Sequence, residues 1–325
     1  MELYLLGTSS GIPTKTRNVS ATALQESEGK GWFLVDCAEG TQHQLLHTPL
    51  SLDHLQAICI THIHGDHCYG LPGLLASAGM NNRSKPLTIV APKGIQQWFA
   101  ATQQFTKLNL PFSLNYVLAE SLPSLTIGQY TIQVIALSHR VPSYGYGFTQ
   151  STIRRHLNIE KLNRDQIPRG PLWGQLIRGE DISFQGKTIR STDYTLLDHN
   201  PRKVIIGGDN DTPDLLEPYC KGCQVLIHES TYGDELALRA QEVGHSYAGQ
   251  VAGFAQRMAI PHLVLTHFSP RYQTRPDAPV SIDQLRQQAQ TVYSGQLFLA
   301  QDLQHYRLNK RGELALMTTD ALPRD

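Results

Sequence analysis

Short apolar runs punctuate this chain, and most of them end in a residue that can do chemistry. Leu3-Tyr4-Leu5-Leu6 opens toward a loop bounded by Gly11 and Asn18, and Ala57-Ile58-Cys59-Ile60 runs into Thr61-His62-Ile63-His64-Gly65-Asp66-His67. Tyr130-Thr131-Ile132-Gln133-Val134-Ile135-Ala136-Leu137 leads to Ser138-His139, and Lys203-Val204-Ile205-Ile206 leads through Gly207-Gly208 to Asp209. Val225-Leu226-Ile227 is followed by His228-Glu229, and Leu263-Val264-Leu265-Thr266 by His267. Continuous apolar runs rich in β-branched residues predict interior strands covered on both faces, and stretches such as Ser246 to Met258 between them predict helices. The pattern is that of an α/β protein. Neighbouring strands that finish at one edge of a sheet would gather their terminal residues around one cleft.

Composition narrows the class without naming a function. The chain has 325 residues, of which 40% are hydrophobic, enough for a substantial core. No apolar stretch approaches the roughly 18–20 residues that span a bilayer, and the start Met1-Glu2-Leu3-Tyr4 lacks the charged lead and apolar segment of a secretion signal. A cytoplasmic protein is expected. Five cysteines, Cys37, Cys59, Cys68, Cys220 and Cys223, make a disulfide framework a poor reading and agree with a reducing compartment. Cys220-Lys221-Gly222-Cys223 has no second cysteine pair nearby and is expected to be a plain loop.

Net charge is zero, with 28 basic and 28 acidic residues, so composition carries no nucleic-acid signal. Its distribution does. Residues 151–190 hold eight basic residues (Arg154, Arg155, Lys161, Arg164, Arg169, Arg178, Lys187, Arg190) against four acidic ones (Glu160, Asp165, Glu180, Asp181), a local excess of +4. The segment is poor in long apolar runs and contains Gly170-Pro171, which suits an inserted arm within a single domain over 1–325. A solvated surface excursion is the plainer alternative. No internal repeat or low-complexity tract marks a second domain.

Three imidazoles and a carboxylate within six positions, His62, His64, Asp66 and His67, form a donor set suited to zinc and its borderline neighbours. A lone His-x-His is often mere surface polarity, but the full His-x-His-x-Asp-His spacing is far more specific. His139 or His267 alone would read as a histidine at a strand end, and Asp209 alone as a turn or cap residue. Together they supply the rest of a binuclear site, because the first cluster has too many donors for one tetrahedral ion.

These residues resemble the metallo-β-lactamase superfamily, and more narrowly the ribonuclease Z enzymes, over nearly the whole chain. The resemblance implies a four-layer αββα sandwich with a flexible arm inserted at about 151–190. It implies that His62, His64 and His139 hold one zinc, that Asp66, His67 and His267 hold the other, and that Asp209 bridges them. Manganese or iron in place of zinc is left open by the donor types. Gly11-Ile12-Pro13-Thr14-Lys15-Thr16-Arg17-Asn18 matches the family's Pro-x-Lys-x-Arg-Asn loop, which implies that Lys15 and Arg17 lie beside the RNA 3′ end. Gly170-Pro171-Leu172 with Leu176 and Gly179 is similar to the Gly-Pro motif of the arm that clasps transfer RNA. His228-Glu229-Ser230-Thr231 and Gly244-His245-Ser246 resemble the motifs that put Glu229 and His245 beside the metals.

The implied activity is zinc-dependent removal of the 3′ trailer from precursor transfer RNA, leaving a 3′-hydroxyl on the transfer RNA and a 5′-phosphate on the trailer. Asp66 would accept the proton of the attacking water, and His245, held by Glu229, would protonate the departing ribose oxygen. A homodimer is also implied. A small-molecule hydrolase of the same superfamily, such as a lactonase, arylsulfatase or phosphodiesterase, would share the seven ligands but would not need the loop and the arm. A catalytically silent RNA-binding relative would lack a ligand, and none is missing. One stretch departs from the family, since Gly208-Asp209 is followed by Asn210-Asp211-Thr212 where the family commonly continues Gly-Asp-Thr. Asp211 is therefore an alternative bridge.

Overall fold

In the computed structural model, which describes residues 1–275 and 278–317, the apolar runs become the strands of two large sheets. One sheet has eight strands in the order Leu314–Met317, Gln304–Leu308, Glu2–Gly7, Ala21–Gln25, Trp32–Val35, Leu55–Cys59, Leu87–Ala91 and Leu114–Leu118. The other has seven, in the order Gln296–Leu299, His262–Thr266, Val225–Glu229, Lys203–Ile206, Ser143–Gln150, Tyr130–Leu137 and Ser124–Ile127.

Side chains alternate across a strand, so a run buried on both faces must be apolar throughout. Leu3 and Leu5 enter one core with Phe33, Tyr146, Phe148 and Ile205, while Tyr4 and Leu6 enter another with Trp32, Leu34 and Leu74. The first core lies between the sheets, where the Phe33 ring meets Tyr130 edge-on at 5.7 Å and Phe148 at 5.5 Å. Burying each such side chain contributes roughly 1.5–3 kcal/mol. Helices cover the outer faces: Leu71–Met80 and Ile95–Thr106 pack Leu74, Leu75 and Phe99 on the first sheet, and Ala248–Arg257 and Asp283–Val292 bring Val251, Phe254, Leu285 and Ala289 to the second. The result is the four-layer αββα sandwich of the expected class. No helix among the described residues is long and apolar enough to cross a membrane. Cys220 and Cys223 are buried and unpaired, with their thiols donating to Leu216 O and Val225 O, as a plain loop requires.

Topology decides where the strand ends go. Lys203–Ile206, Val225–Glu229, His262–Thr266 and Gln296–Leu299 are parallel neighbours, with Ile206 opposite Ile227 and Glu229 opposite Thr266. Their carboxyl ends share one edge. Ser143–Gln150 runs antiparallel to Lys203–Ile206 and pairs Tyr146 with Ile206, so the turn that carries His139 reaches the same edge. In the first sheet Trp32–Val35 and Leu55–Cys59 are parallel, with Val35 opposite Cys59, so Asp36 and the histidine cluster emerge side by side.

The chain divides into two compact units, Met1–Thr149 with Arg202–Asp325, and Gln150–Pro201. The second unit extends past residue 190, where the charge excess ends. It holds two short antiparallel ladders, Arg155–Leu157 with Thr195–Leu197 and Ile182–Phe184 with Lys187–Ile189, and the helices Ile159–Arg164, Pro171–Ile177 and Ser191–Tyr194. Leu162, Ile167, Leu176, Ile182 and Tyr194 form its own small core. Gly170 sits at φ 139°, a backbone conformation that favours glycine, and Pro171 starts the helix where its missing N–H costs nothing.

Candidate metal centre

His62 leaves the strand Leu55–Cys59 fully buried, and its Nε2 lies 3.0 Å from His64 Nδ1 and 3.6 Å from Asp209 Oδ2. His139 Nε2 lies 3.2 Å from the same His64 Nδ1 and 3.8 Å from Asp209 Oδ2. His139 can point that nitrogen inward because its Nδ1 is engaged by Gly244 O at 2.6 Å. Gly244 has φ 75°, and a Cβ there would meet His139 Nδ1 at 2.8 Å, so both the turn and the close approach require glycine.

A second group faces the first across Asp209. His67 Nε2 and His267 Nε2 are 3.3 Å apart, lie 3.4 and 3.3 Å from Asp209 Oδ1, and lie 3.6 and 3.5 Å from Asp66 Oδ2. Their outer nitrogens are tethered, His67 Nδ1 to Asp36 Oδ2 at 2.6 Å and His267 Nδ1 to Thr231 Oγ1 at 2.9 Å. Gly11 N–H donates to Asp66 Oδ2 at 2.7 Å and fixes that carboxylate.

This arrangement fits two cations. Ring nitrogens that converge within about 3 Å cannot all be satisfied by protons. Asp209 Oδ1 is buried without a hydrogen-bond partner among the described residues, a costly state for a carboxylate oxygen unless an ion completes it. Field points the same way: burial opposes protonation of His67, yet Asp209, Asp36 and Asp66 push its pKa up to about 10. Asp66 behaves conversely, since burial works against its ionisation but His67 and His267 hold it well below the usual carboxylate range. His62, His64, His139 and Asp209 form one group that could hold a metal ion, and Asp66, His67 and His267 form another.

Asp209, His245 and His267 also converge closely enough to hold an ion. The donors around Glu229 favour another role for His245. Glu229 Oε1 accepts from His245 Nδ1 at 3.0 Å and from the backbone N–H groups of Asn210 and Ser246, both at 3.1 Å. Its Oε2 accepts from Thr231 N–H at 3.0 Å and Thr231 Oγ1 at 2.7 Å. Glu229 is thus a saturated, ionised, buried acceptor that occupies His245 Nδ1 and leaves Nε2 for another partner. Burial opposes the charge on His245, but the Glu229 and Asp209 carboxylates push its pKa up to about 9.

The expected RNA contacts divide. Lys15 is exposed at the loop tip, and Gly170 and Pro171 are exposed in the second unit. Arg17, expected beside the RNA 3′ end, instead turns inward: it is 6% exposed, donates through one terminal nitrogen to Thr8 Oγ1 at 2.6 Å and Ala300 O at 2.7 Å, and lies over the Phe268 ring. These acceptors and the aromatic face offset part of the cost of burying the charge, which lowers the Arg17 pKa from its ordinary value. Asp211 does not join the metal groups; its Oδ1 accepts from Thr212 Oγ1 and its N–H reaches Ser138 O. Asn210 fills the space between, with Oδ1 accepting from the N–H groups of Ser138 and Thr212.

Asp36 was not singled out by sequence, and Thr231 entered only as part of a motif, without a role of its own. Asp36 also accepts from Thr61 N–H at 2.8 Å and Thr61 Oγ1 at 2.9 Å, and it ends the apolar run Trp32–Val35, so the rule that strands end in chemistry would have found it. Asp36 and His267 both take left-handed backbone, at φ 61° and 57°, a strained state for non-glycine residues that clusters at functional sites.

Comparison with known proteins agrees with this geometry. A family model described as Anti-Pycsar protein Apyc1 matches residues 1–153. A Pseudomonas putida protein named Ribonuclease Z is 48% identical over 97% of this chain and 99% of its own length. Proteins of the same name from Marinobacter nauticus and Brevibacillus brevis are 48% and 34% identical, covering 97% and 90% of this chain and 98% and 92% of theirs. The crystal structure of human tRNase Z, short form, covers 94% of this chain and 98% of its own with TM-score 0.65 and 26% identity. The Bacillus subtilis metallo-β-lactamase fold protein YhfI, at 19% identity and TM-score 0.63 over 94% of this chain and 98% of its own, shares the fold. With relatives this similar along almost its full length, and with every histidine and aspartate expected of the centre gathered where the edges of the two sheets meet, the chain belongs to the ribonuclease Z family.

Proposed function

We propose that this protein is the endoribonuclease that removes the 3′ trailer from precursor transfer RNA, using two zinc ions per chain held by His62, His64, His139, Asp66, His67, His267 and a bridging Asp209. One observation carries the reading: in a chain of the ribonuclease Z family, the two oxygens of Asp209 face two separate histidine groups, with His245 and Glu229 beside them. When bound, such ions lower the pKa of water from about 15.7 toward 7 and neutralise charge growing on the phosphate.

The chain's own residues supply the rest. Asp66, with Oδ2 held by Gly11 N–H, offers Oδ1 to the proton of the attacking water. As the water oxygen bonds to phosphorus, the bond from phosphorus to the ribose O3′ breaks. His245 Nε2 gives its proton to that oxygen while Glu229 keeps the ring oriented. The nucleophile is water, so the 2′-hydroxyl takes no part, and selectivity must come from RNA shape read outside the centre.

The exposed cations of residues 150–201, with the Gly170-Pro171 turn, support their use as the arm that grips transfer RNA, and exposed Lys15 supports a place beside the RNA 3′ end. A homodimer, the commonest soluble assembly, would let one subunit's arm serve its partner's centre. Five unpaired cysteines fit the cytoplasm, where precursor transfer RNA is available to a bacterial-type processing enzyme.

Incubating the purified protein with a 3′-extended precursor and mapping the new ends tests the reading. A 3′-hydroxyl on the transfer RNA and a 5′-phosphate on the trailer are expected. Hydrolysis confined to small esters or phosphodiesters would instead identify a small-molecule hydrolase.

A further inference from the structure

A cavity of about 580 Å³ opens beside His245, lined by Ser138, Asp211, Thr212, Leu238, Gln241, Tyr247 and Gln250 among others. Its walls are tied together by the protein itself. Asp211 N–H donates to Ser138 O at 2.9 Å, Gln250 Nε2 to Asp211 O at 2.8 Å, and Ser138 N–H to Asn210 Oδ1 at 3.2 Å. Such a volume suits one small organic group, and the preformed walls mean that little must be ordered when it enters.

Lining chemistry says what that group is. Among the described residues no lysine or arginine lines the cavity, and the Asp211 carboxylate would repel a phosphate, so this is not a place where the RNA backbone is held. Among the lining residues Tyr247 supplies an aromatic ring and Leu238, 80% exposed, an apolar side chain, the kinds of group on which a nucleic-acid base stacks. Gln241, Gln250 and Thr212 add amide and hydroxyl groups of the kind that meet base edges.

His245 sets the polarity. It lines this cavity, and its Nδ1 is taken by Glu229, so the proton for the departing oxygen sits on Nε2. That oxygen is the O3′ of the nucleoside on the 5′ side of the broken bond. We propose that this cavity binds the nucleoside whose O3′ leaves, the last one retained by the transfer RNA, by stacking its base on Tyr247 and Leu238. The proposal rests on the nuclease reading above.

The test is a thermodynamic cycle in kcat/KM between the protein and three precursors: unmodified, abasic at the nucleotide just 5′ of the cleavage point, and abasic at the first trailer nucleotide. For the wild-type protein the first abasic site should lower kcat/KM about tenfold or more, the usual scale for losing one base on an aromatic side chain. Tyr247→Ala should lower cleavage of the unmodified precursor by a similar factor, and the two losses should not add. Tyr247→Phe should restore the rate, since stacking needs only the ring. Thermal melting establishes that each variant folds, and Leu238→Ala on the exposed rim repeats the cycle should Tyr247→Ala not fold. Additive losses, or coupling to the abasic trailer nucleotide instead, overturn the assignment while leaving the nuclease reading intact. Failure of the wild-type protein to cut any precursor overturns both.

Discussion

Arg17 shows how much a single residue's meaning depends on which way it points. A charged residue in a loop that resembles an RNA 3′-end reader invites a phosphate contact, yet its guanidinium ties that loop to Thr8, Ala300 and Phe268. Arg17→Ala should therefore lower stability by about 3 kcal/mol, because buried acceptors lose a charged donor, and Arg17→Lys should not recover it. Urea unfolding reads the difference; a loss of RNA affinity at unchanged stability would mean that the side chain serves the RNA after all. His245 is the other residue whose setting decides its chemistry. Its folded pKa lies above its ordinary value, so the Glu229 pairing contributes stability that is complete below about 6.5 and is lost as pH rises through about 9. Protein stripped of metal should accordingly lose stability between neutral pH and pH of about 10, and His245→Asn should flatten that limb in denaturant titrations. In the proposed role of proton donor, His245 should also impose an alkaline fall in cleavage rate, at or below that pH because bound cations would disfavour the imidazolium.

At the scale of elements, the recurring feature is a strand that delivers a functional group from its carboxyl end. Parallel pairing of Lys203–Ile206, Val225–Glu229 and His262–Thr266 puts Asp209, Glu229 and His267 at one edge although they are far apart in sequence. Residues 150–201 are a different kind of element, with their own small core, and their charge is unevenly used. Arg178 pairs with Glu180, Arg164 with Asp165, and Lys161 lies over the Tyr194 ring, while Arg154, Lys187 and Arg190 are exposed. Replacing residues 152–199 with a short Gly-Ser linker should cut precursor cleavage at least a hundredfold more than hydrolysis of bis(p-nitrophenyl) phosphate. It should also flatten the salt dependence of RNA binding, by a slope of roughly 0.7–0.9 for each phosphate that the arm no longer neutralises. Equal losses for both substrates would make this unit structural. The apolar periodicity made the strands and the helix at Ala248–Arg257 legible beforehand, because burial on both faces leaves a continuous signature. The bounds of the unit at residues 150–201 were less legible, because a small unit built from three-residue strands has no such signature.

For the whole molecule, the centre is a seam between two sheets. His62, His64, Asp66 and His67 come from the first sheet, and His139, Asp209 and His267 from the second. Removing bound metal should leave Asp209 Oδ1 buried and unpartnered and forfeit the stabilisation that a ligand of the folded state supplies, so the melting temperature should fall by about 5–10 °C on chelation and recover with zinc. Calorimetry with and without chelator decides it, and an unchanged melting temperature would mean that the ions are not held by this seam. Sequence by itself determined the fold class, the strands and which residues carry groups able to hold a metal, because apolar periodicity and donor spacing are local properties of the chain. It also carried the family, through short motifs that survive as strings. Only the tertiary structure decided that Asp209 rather than Asp211 lies between the two histidine groups, that Arg17 points inward, that Asp36 and Thr231 orient His67 and His267, and that a cavity with no lysine or arginine among its described lining residues opens beside His245. Those outcomes depend on which strands are neighbours and which way a side chain leaves the backbone, and contacts between residues as distant in sequence as His67 and His267 leave no local trace.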